Sequence, residues 1–296
     1  MEERARAATP ARKGEWPLSL PSLVWLAVLV LLPSLIVLAV AFRPADPYGG
    51  VGAGWTLASL RDLARESYLV VGWRTLYLSL LTTAACLLLA TPMAYFMARA
   101  PRKWRHTLLL LVVVPFWTSF LVRIFAWKVV LHPEGPVKRG LAALHLISPD
   151  ATLLYNPGAV LLVMVYTSLP FAVLPIYAAA ERFDFSLLEA ARDLGARSLV
   201  AFWSVFMPGI RRGLASAALL VFIPSLGSYI VPDIVGGPSG EMIGNVIAQR
   251  VFSDRNLPHA GALSALLTLL VLAPMLGALV LRSRQEEISA RGGGPE

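Results

Sequence analysis

Long apolar runs alternate with short polar segments along the whole chain. An α-helix rises about 1.5 Å per residue, so about 20 apolar residues cross the roughly 30 Å hydrocarbon layer of a membrane. Five of six charge-free stretches are long enough alone, and the shortest becomes long enough once Arg123 is included. The stretches are 16–42, 75–98, 107–122, 151–180, 213–232 and 256–281. This pattern predicts an all-α membrane protein with six transmembrane helices.

Charged and turn-forming residues set the expected limits of the six spans. We expect one transmembrane domain over 20–282, between an N-terminal tail, 1–19, and a C-terminal tail, 283–296. A polar segment, 181–212, separates the fourth span from the fifth. The predicted spans cover residues 20–42, 75–98, 107–130, 158–180, 213–235 and 260–281.

The composition fits this picture, and the distribution of charge orients it. With 57% hydrophobic and 15% charged residues, the chain is neither disordered nor an ordinary cytosolic enzyme. The net charge of +8 is spread over several loops, so no nucleic-acid partner is predicted. Lysine and arginine are most frequent in the two tails and in the loops after the second and fourth spans, above all at Arg99, Arg102, Lys103 and Arg105. By the positive-inside rule, both termini are expected in the cytoplasm.

No catalytic or metal site is predicted. Cys86 is the single cysteine, and the four histidines are scattered without ligand spacing. The chain also contains no P-loop, GxxxxGK followed by Ser or Thr, so no cradle for ATP is expected in it.

The fifth predicted span contains an unusual group of helix-breaking residues. Pro224, Ser225, Gly227 and Ser228 lie together near its middle, just before Tyr229. Two interpretations stay open: a kink tolerated by neighbouring helices, or a locally opened helix that lines a pathway.

The polar segment between the fourth and fifth spans predicts two short helices. Ser186 and Glu189 have the spacing of a capping box, which predicts a helix from 187, and Gly195 suits a left-handed C-terminal cap. Ser198 can cap a second helix. Its apolar residues share one predicted face: Leu199, Phe202, Trp203 and Phe206. The pair could pack beneath its own bundle or dock a soluble partner.

The same segment carries a family resemblance. Glu189, Ala190 and Ala191 are followed after three residues by Gly195, and after nine more by Val205 to Pro208. This spacing resembles the EAA motif of binding-protein-dependent ABC transporter permeases, E-A-A-x3-G-x9-I-x-L-P, with valine and methionine replacing isoleucine and leucine. Three further segments resemble the spermidine/putrescine branch of that family: 115–123, 187–196 and 236–245.

The resemblance implies a type I importer permease with the MetI-like fold, in a bacterial inner membrane. It implies four kinds of contact: membrane lipid, a dimer of ATPase subunits that bind ATP and Mg²⁺, a second permease chain, and an extracytoplasmic solute-binding protein. The EAA segment would be the coupling helix that contacts the ATPase, through Glu189, Ala190, Ala191, Arg192, Asp193 and Gly195.

The solute path is the least determined part. A polyamine is a polycation, and acidic or aromatic groups would attract it. Candidates are Trp117, Tyr166, Tyr229 and Asp233, each of which could instead pack or face water. Arg123 would repel a polycation if it lined the path. The alternatives are a permease for ferric ion, phosphonate or another anion, an integral-membrane enzyme, and a structural subunit without a conduit.

Overall fold

The structure, a computed structural model, describes residues 16–64, 66–148 and 150–272. These residues form helices joined by short loops, with one isolated antiparallel bridge between Ala45 and Val51. The predicted C-terminal tail and most of the predicted N-terminal tail lie outside the described residues. The α-helices are α1 (Trp16–Ala41), α2 (Ala58–Asp62), α3 (Glu66–Arg99), α4 (Arg102–Val113), α5 (Phe120–Val130), α6 (Pro136–Ala143), α7 (Pro157–Glu181), α8 (Ser186–Asp193), α9 (Ser198–Ala201), α10 (Met207–Gly209), α11 (Arg211–Leu226), α12 (Ile243–Phe252) and α13 (Leu257–Leu272).

Three described helices are long and apolar enough to cross a membrane alone: α1, α3 and α7. Two bent pairs pass the same test jointly. One joins α4 to α5 with an angle of 88°, and the other joins Ser198–Gly209 to α11 with an angle of 72°. If each pair is one span, the described residues contain up to five. Helix α13 is shorter, and the rest of the predicted sixth span lies beyond residue 272.

The residues of the third predicted span do not form one straight helix. Helix α4 ends at Val113, a 3-10 turn covers Val114–Trp117, and the backbone is extended at Thr118 before α5 begins. Pro115 explains the change, because it lacks an amide hydrogen and its ring crowds the preceding turn. The Thr118 hydroxyl donates to the Pro115 carbonyl at 2.7 Å, which stabilises the break.

The fifth predicted span is interrupted where the breaking residues lie. Helix α11 ends at Leu226, and a π-turn follows at Pro232–Gly236. The Asn245 side-chain amide donates to the exposed Tyr229 carbonyl at 2.9 Å. Gly244 fits closely here, because a Cβ on it would lie 2.5 Å from the Ser228 carbonyl oxygen. The helix is therefore opened at this point rather than only kinked, and a polar group of a neighbouring segment satisfies part of the freed backbone, while the lining of a pathway stays a prediction.

Helices α3, α7 and α11 form the centre of the bundle. Small side chains dominate their contacts, including Ala90, Ala94, Ala172 and Ala217, all fully buried. Small residues let helix backbones approach closely in a membrane. Gly213 is the tightest of these positions, because an added Cβ would lie 2.5 Å from the Ala179 Cβ and 2.9 Å from the Pro175 carbonyl oxygen. This packing fixes the C-terminal end of α7 and the N-terminal end of α11, which the polar segment connects.

Helix α1 lies at the edge of the bundle. None of the apolar window within Leu20–Ala41 is buried against the rest of the described chain. Near its C-terminal end α1 approaches α13, where a Cβ on Gly261 would lie 2.9 Å from the Val37 carbonyl oxygen. The long apolar surface of α1 is therefore left to lipid or to another chain.

Candidate functional site

Asp184, not Ser186, caps the N-terminus of α8. Its carboxylate Oδ1 accepts from the Ser186 amide at 3.0 Å, and the helix begins at Ser186, one residue earlier than predicted. The predicted capping box is wrong because Phe185 already has helical backbone angles, so Ser186 lies inside the helix. Hydrogen bonds from the Ser186 side chain and amide lower the pKa of Asp184 below its ordinary value of 3.8.

Gly195 ends α8 as the sequence predicts. Its φ is +91°, in the left-handed region where glycine pays no steric cost. The Gly195 amide donates to the Arg192 carbonyl at 2.8 Å, and the Ala196 amide donates to the Ala191 carbonyl at 3.0 Å. These are the paired bonds of a Schellman motif, so the predicted C-terminal cap is confirmed.

Most of the predicted coupling residues face outward together. Ala191 is half-buried against the bundle core, and Leu194 beside it is 89% exposed. A short helix with an exposed polar and apolar face is suited to recognition of another protein. The exposed coupling residues are Glu189, Ala190, Arg192, Asp193 and Gly195.

The apolar stripe predicted for the second helix is divided between two faces. Phe206 is fully buried, whereas Trp203 is 60% exposed and Leu199 is also exposed. The cause is a π-turn over Phe202–Phe206, in which the Met207 amide donates to the Phe202 carbonyl. An i→i+5 turn contains one residue more than an α-turn and rotates the following side chains. The prediction of a single apolar face is therefore wrong. The exposed side of this helix has a shallow depression of about 390 Å³, lined by Leu199, Val200, Trp203 and Ser204.

An aromatic cluster that the sequence did not predict fixes α8 and α9 to the bundle. The ring of Phe206 lies 5.0 Å from that of Tyr95 on α3 and 5.2 Å from that of Phe183. The pairs are mostly edge-to-face, the geometry that aromatic rings favour. The high frequency of phenylalanine between residues 183 and 206 is the sequence feature that could have indicated this cluster. The cluster consists of Tyr95, Phe183, Phe185, Phe202 and Phe206.

Polar contacts support the same junction. The Arg99 guanidinium donates to the Tyr95 hydroxyl at 2.7 Å, and Arg105 Nη1 lies 3.8 Å from Glu181 Oε1. The hydroxyl of Tyr177 also donates to Glu181 at 3.1 Å. Exposed pairs of this kind contribute little stability, so they orient the α3–α4 turn beside α7 more than they strengthen it.

The candidates for the solute path fall into separate places. Tyr229 and Asp233 are exposed one turn apart at the opened helix, where the Asp233 amide donates to the Tyr229 carbonyl at 3.0 Å. Trp117 is 76% exposed at the bend after α4. The ring of Tyr166 packs against that of Trp127 at 5.4 Å and borders a cavity of about 520 Å³. The structure thus brings Tyr229 and Asp233 together on the surface of the opened helix.

Arg123 stacks on an aromatic ring just after the bend. Its guanidinium carbon lies 4.1 Å from the centroid of the Phe116 ring. Its Nε and Nη1 are buried and have no hydrogen-bond partner within the described part of the chain. The positive charge is therefore held over Phe116, between α4 and α5.

The described residues contain no group of three or more His, Cys, Asp or Glu side chains placed to hold a metal ion. Cys86 is buried in the bundle, where its thiol donates to the Val165 carbonyl at 3.6 Å. Helices α8 and α9 offer a recognition surface.

Comparisons with known proteins agree with this arrangement. The model of the family described as "Binding-protein-dependent transport system inner membrane component" matches residues 90–285. The chain is 37% identical over 247 residues to the spermidine/putrescine transport system permease protein PotB of Escherichia coli K12, which covers 83% of this chain and 90% of the relative. Its identity to PotB of Haemophilus influenzae is 38%, covering 83% and 86%. A chain in the crystal structure of a bacterial alginate ABC transporter, in complex with alginate pentasaccharide-bound periplasmic protein, has the same fold, with a TM-score of 0.67, 19% identity and coverage of 89% and 93%.

An apolar helical bundle that presents an exposed helical pair at one end defines an integral membrane subunit built to engage another protein. The chain belongs to the family of binding-protein-dependent transport system inner membrane components. It is a permease subunit of an ABC importer, located in the inner membrane, with the fold of such permeases. The predicted family and the predicted role as a permease are confirmed.

Proposed function

We propose that this permease imports polyamines of the spermidine and putrescine class and forms half of the pathway. The observation that carries the proposal is the 37% identity to a spermidine/putrescine permease along 90% of that protein's length. Identity spread over so much of the chain includes the helices that would line a path, and not the coupling motif alone.

In the proposed arrangement the chain crosses the membrane six times, with both termini in the cytoplasm. The bent pair of α4 and α5 counts as one span, α11 and the residues that follow it to 235 form the fifth, and α13 contributes to the sixth. The basic α3–α4 turn and the α7–α11 segment then lie on the cytoplasmic side, as the positive-inside rule requires.

The coupling mechanism uses the exposed end of α8. A dimer of ATPase subunits, which bind ATP and Mg²⁺, would contact Glu189, Ala190 and Gly195, and small side chains there allow close approach. The Schellman cap fixes the C-terminal end of α8, and the aromatic cluster joins the segment that contains α8 to α3 and to the end of α7. When the ATPase dimer closes, a rigid connection transmits its movement to the spans and alternates access between the two sides.

Two further partners complete the proposed transporter. A second permease chain supplies the other half of the path, and an extracytoplasmic binding protein delivers the solute. The alginate transporter with this fold was solved together with a periplasmic protein, which supports this kind of assembly.

Tyr229 and Asp233 are the proposed contact for the solute. A carboxylate and an aromatic face one turn apart can hold an ammonium group by charge and by cation–π attraction. Their position at the opened helix gives access from a path, because an unwound segment tolerates water that a helix would exclude. Trp117 is a secondary candidate, whereas Tyr166, which borders the apolar cavity, is not part of the proposed contact.

The test is ATP-dependent uptake by the complete transporter in proteoliposomes, with radiolabelled spermidine and putrescine compared against ferric ion and a phosphonate. We expect saturable polyamine uptake that neither alternative inhibits. Asp233→Asn should reduce uptake at low polyamine concentration about tenfold, which corresponds to the loss of one contact of about 1.4 kcal/mol. Asp150→Asn, an exposed acid in the loop after α6, is the matched control. Preferential uptake of ferric ion or an anion would contradict the proposal, and no uptake of any solute would favour a structural subunit.

A further inference from the structure

An apolar cavity of about 520 Å³ lies between α3, α4 and α7. Phe96 of α3 and Leu111 of α4 border it and are 70% and 65% exposed, so the cavity opens to the outside of the chain. Of the side chains that line it, only Tyr166 carries a polar group. The described residues leave this lining uncovered, although it would be costly to expose to water.

Cations surround the cytoplasmic end of this cavity. Helix α3 ends at Arg99 and α4 begins at Arg102, followed by Lys103 and Arg105, with no acidic residue between them. Arg102 and Lys103 are exposed, while Arg105 approaches Glu181 at 3.8 Å. The turn therefore holds two cations that face solvent next to an apolar opening.

The cations and the cavity are separated by a distance that suits a lipid. Leu108 and Val112 line the cavity and follow Arg102 by six and ten residues, which is about 9 to 15 Å along a helix axis. Trp104 is exposed and lies four residues before Leu108, hence on the same helix face. An indole at that height matches the aromatic belt of a membrane interface.

A positive charge also lies next to the opposite end of the cavity. Phe116 lines that end, and the Arg123 guanidinium stacks on its ring at 4.1 Å. The cations of the α3–α4 turn at one end and Arg123 at the other repel a polyamine, so the cavity is unsuited to the proposed solute.

We propose that this cavity binds an anionic phospholipid, with an acyl chain between α3, α4 and α7 and the phosphate on Arg102 and Lys103. The apolar walls match the acyl chain, and the unpaired cations match the headgroup charge. The residues that line the cavity include none from α8 or α9 and neither Tyr229 nor Asp233, and the site concerns lipid rather than transported solute. It therefore does not depend on the identity of that solute.

The experiment is native mass spectrometry of the purified transporter complex, titrated with phosphatidylglycerol or with phosphatidylcholine of the same acyl chains. We expect this chain to retain phosphatidylglycerol preferentially. In the double variant Arg102→Gln/Lys103→Gln the affinity for phosphatidylglycerol should fall about thirtyfold, as expected for two cations at a membrane surface. The double variant Lys138→Gln/Arg139→Gln, with the same charge change on α6, should bind as the wild type does.

A second variant tests the acyl site with the cations intact. Leu108→Trp places a larger side chain in the cavity and should abolish the preference, whereas Leu88→Trp, at an exposed position of α3 that does not line the cavity, should not. Glycerol phosphate, which has a headgroup but no acyl chain, should fail to displace the lipid. Three outcomes would each overturn the proposal. They are equal retention of both lipids, unchanged phosphatidylglycerol binding in Arg102→Gln/Lys103→Gln, and a disulfide bond between the cysteine of Leu111→Cys and a cysteine introduced into the second permease chain. Loss of polyamine uptake with normal lipid retention would contradict only the proposed transport function.

Discussion

Asp184 and Gly195 set the two ends of α8, and they differ in how well the sequence predicts them. Gly195 is predictable because few residues adopt a φ of +91°, and a glycine one turn beyond an amphipathic stretch indicates that conformation. The N-terminus offers two neighbouring acceptors, the side chains of Asp184 and Ser186. Which one acts as the cap depends on the backbone at Phe185, and that backbone is set by packing of its ring in the aromatic cluster.

Gly195→Ala tests the C-terminal cap. No atom lies within 4 Å of an added Cβ, so the substitution changes backbone strain and not packing. We expect a cost of about 1 kcal/mol in the local stability of α8, seen as faster amide exchange at its last turn. Gly140→Ala in α6 is the control, because its Cβ also meets open space but its φ is not in the left-handed region. Equal effects of the two substitutions would contradict the assignment of the cap.

Asp184→Ala tests the N-terminal cap and its dependence on pH. The pKa of Asp184 is lowered from 3.8 in the folded state, so its stabilising effect is present above that value and is lost as the pH falls through the lower folded pKa. In the wild type, protection of the Ser186 amide, corrected for intrinsic exchange, should be constant above about pH 5 and fall below 3.8. Asp184→Ala should lack the protection at every pH. Asp184→Asn, which keeps an acceptor oxygen, should retain it without the pH dependence, and unchanged protection in Asp184→Ala would exclude the carboxylate cap.

At the scale of elements, the apolar pattern predicts the long helices but not their breaks. Helices α3 and α7 appear where apolar runs predict them, because hydrophobic length alone determines a span. The 88° bend at Thr118 lies three residues after Pro115, and such an offset depends on neighbouring packing. No sequence pattern predicts the π-turn at Phe202–Phe206. The turn interrupts the regular helical period and thereby places two rings in the aromatic cluster.

Phe206→Ala tests whether the aromatic cluster holds the coupling helices. The side chain is fully buried among four other rings, so its removal should cost about 3–5 kcal/mol and lower the melting temperature of the purified transporter. Trp203→Ala, three residues earlier and exposed, should leave the melting temperature unchanged and weaken only the retention of the ATPase. If Trp203→Ala destabilised the protein as much as Phe206→Ala, the division of the helix into two faces would be wrong.

Gly213→Leu tests the close contact between α11 and α7. Its Cβ would lie 2.5 Å from the Ala179 Cβ, so the helices must separate, and we expect little folded protein in membranes. Gly227→Leu is the matched control, because the nearest atom to its Cβ is 3.9 Å away. The measurement is the monodisperse fraction of each variant in size-exclusion chromatography after detergent extraction. Similar fractions for the two variants would show that α11 and α7 do not depend on this contact.

At the scale of the whole molecule, the sequence predicts class and role better than sites. The EAA spacing and the apolar runs were sufficient for the family, because both are local patterns that can be read along the chain. The 520 Å³ cavity was not predictable, since it combines residues of α3, α4 and α7 that are far apart in sequence. Tyr229 and Asp233 were recognisable as candidates, but their exposure beside an opened helix depends on tertiary packing.

The central claim is that the exposed end of α8 couples ATP hydrolysis to solute movement through this chain. The most direct measurement is the number of spermidine molecules imported per ATP hydrolysed by the reconstituted transporter with Ala190→Trp, compared with Ala190→Ser. Position 190 is exposed, so the larger side chain leaves the bundle intact and blocks only the approach of a partner. We predict that Ala190→Ser keeps the ratio of the wild type and that Ala190→Trp lowers it at least about tenfold. A wild-type ratio in Ala190→Trp, with the ATPase still bound, would contradict the account.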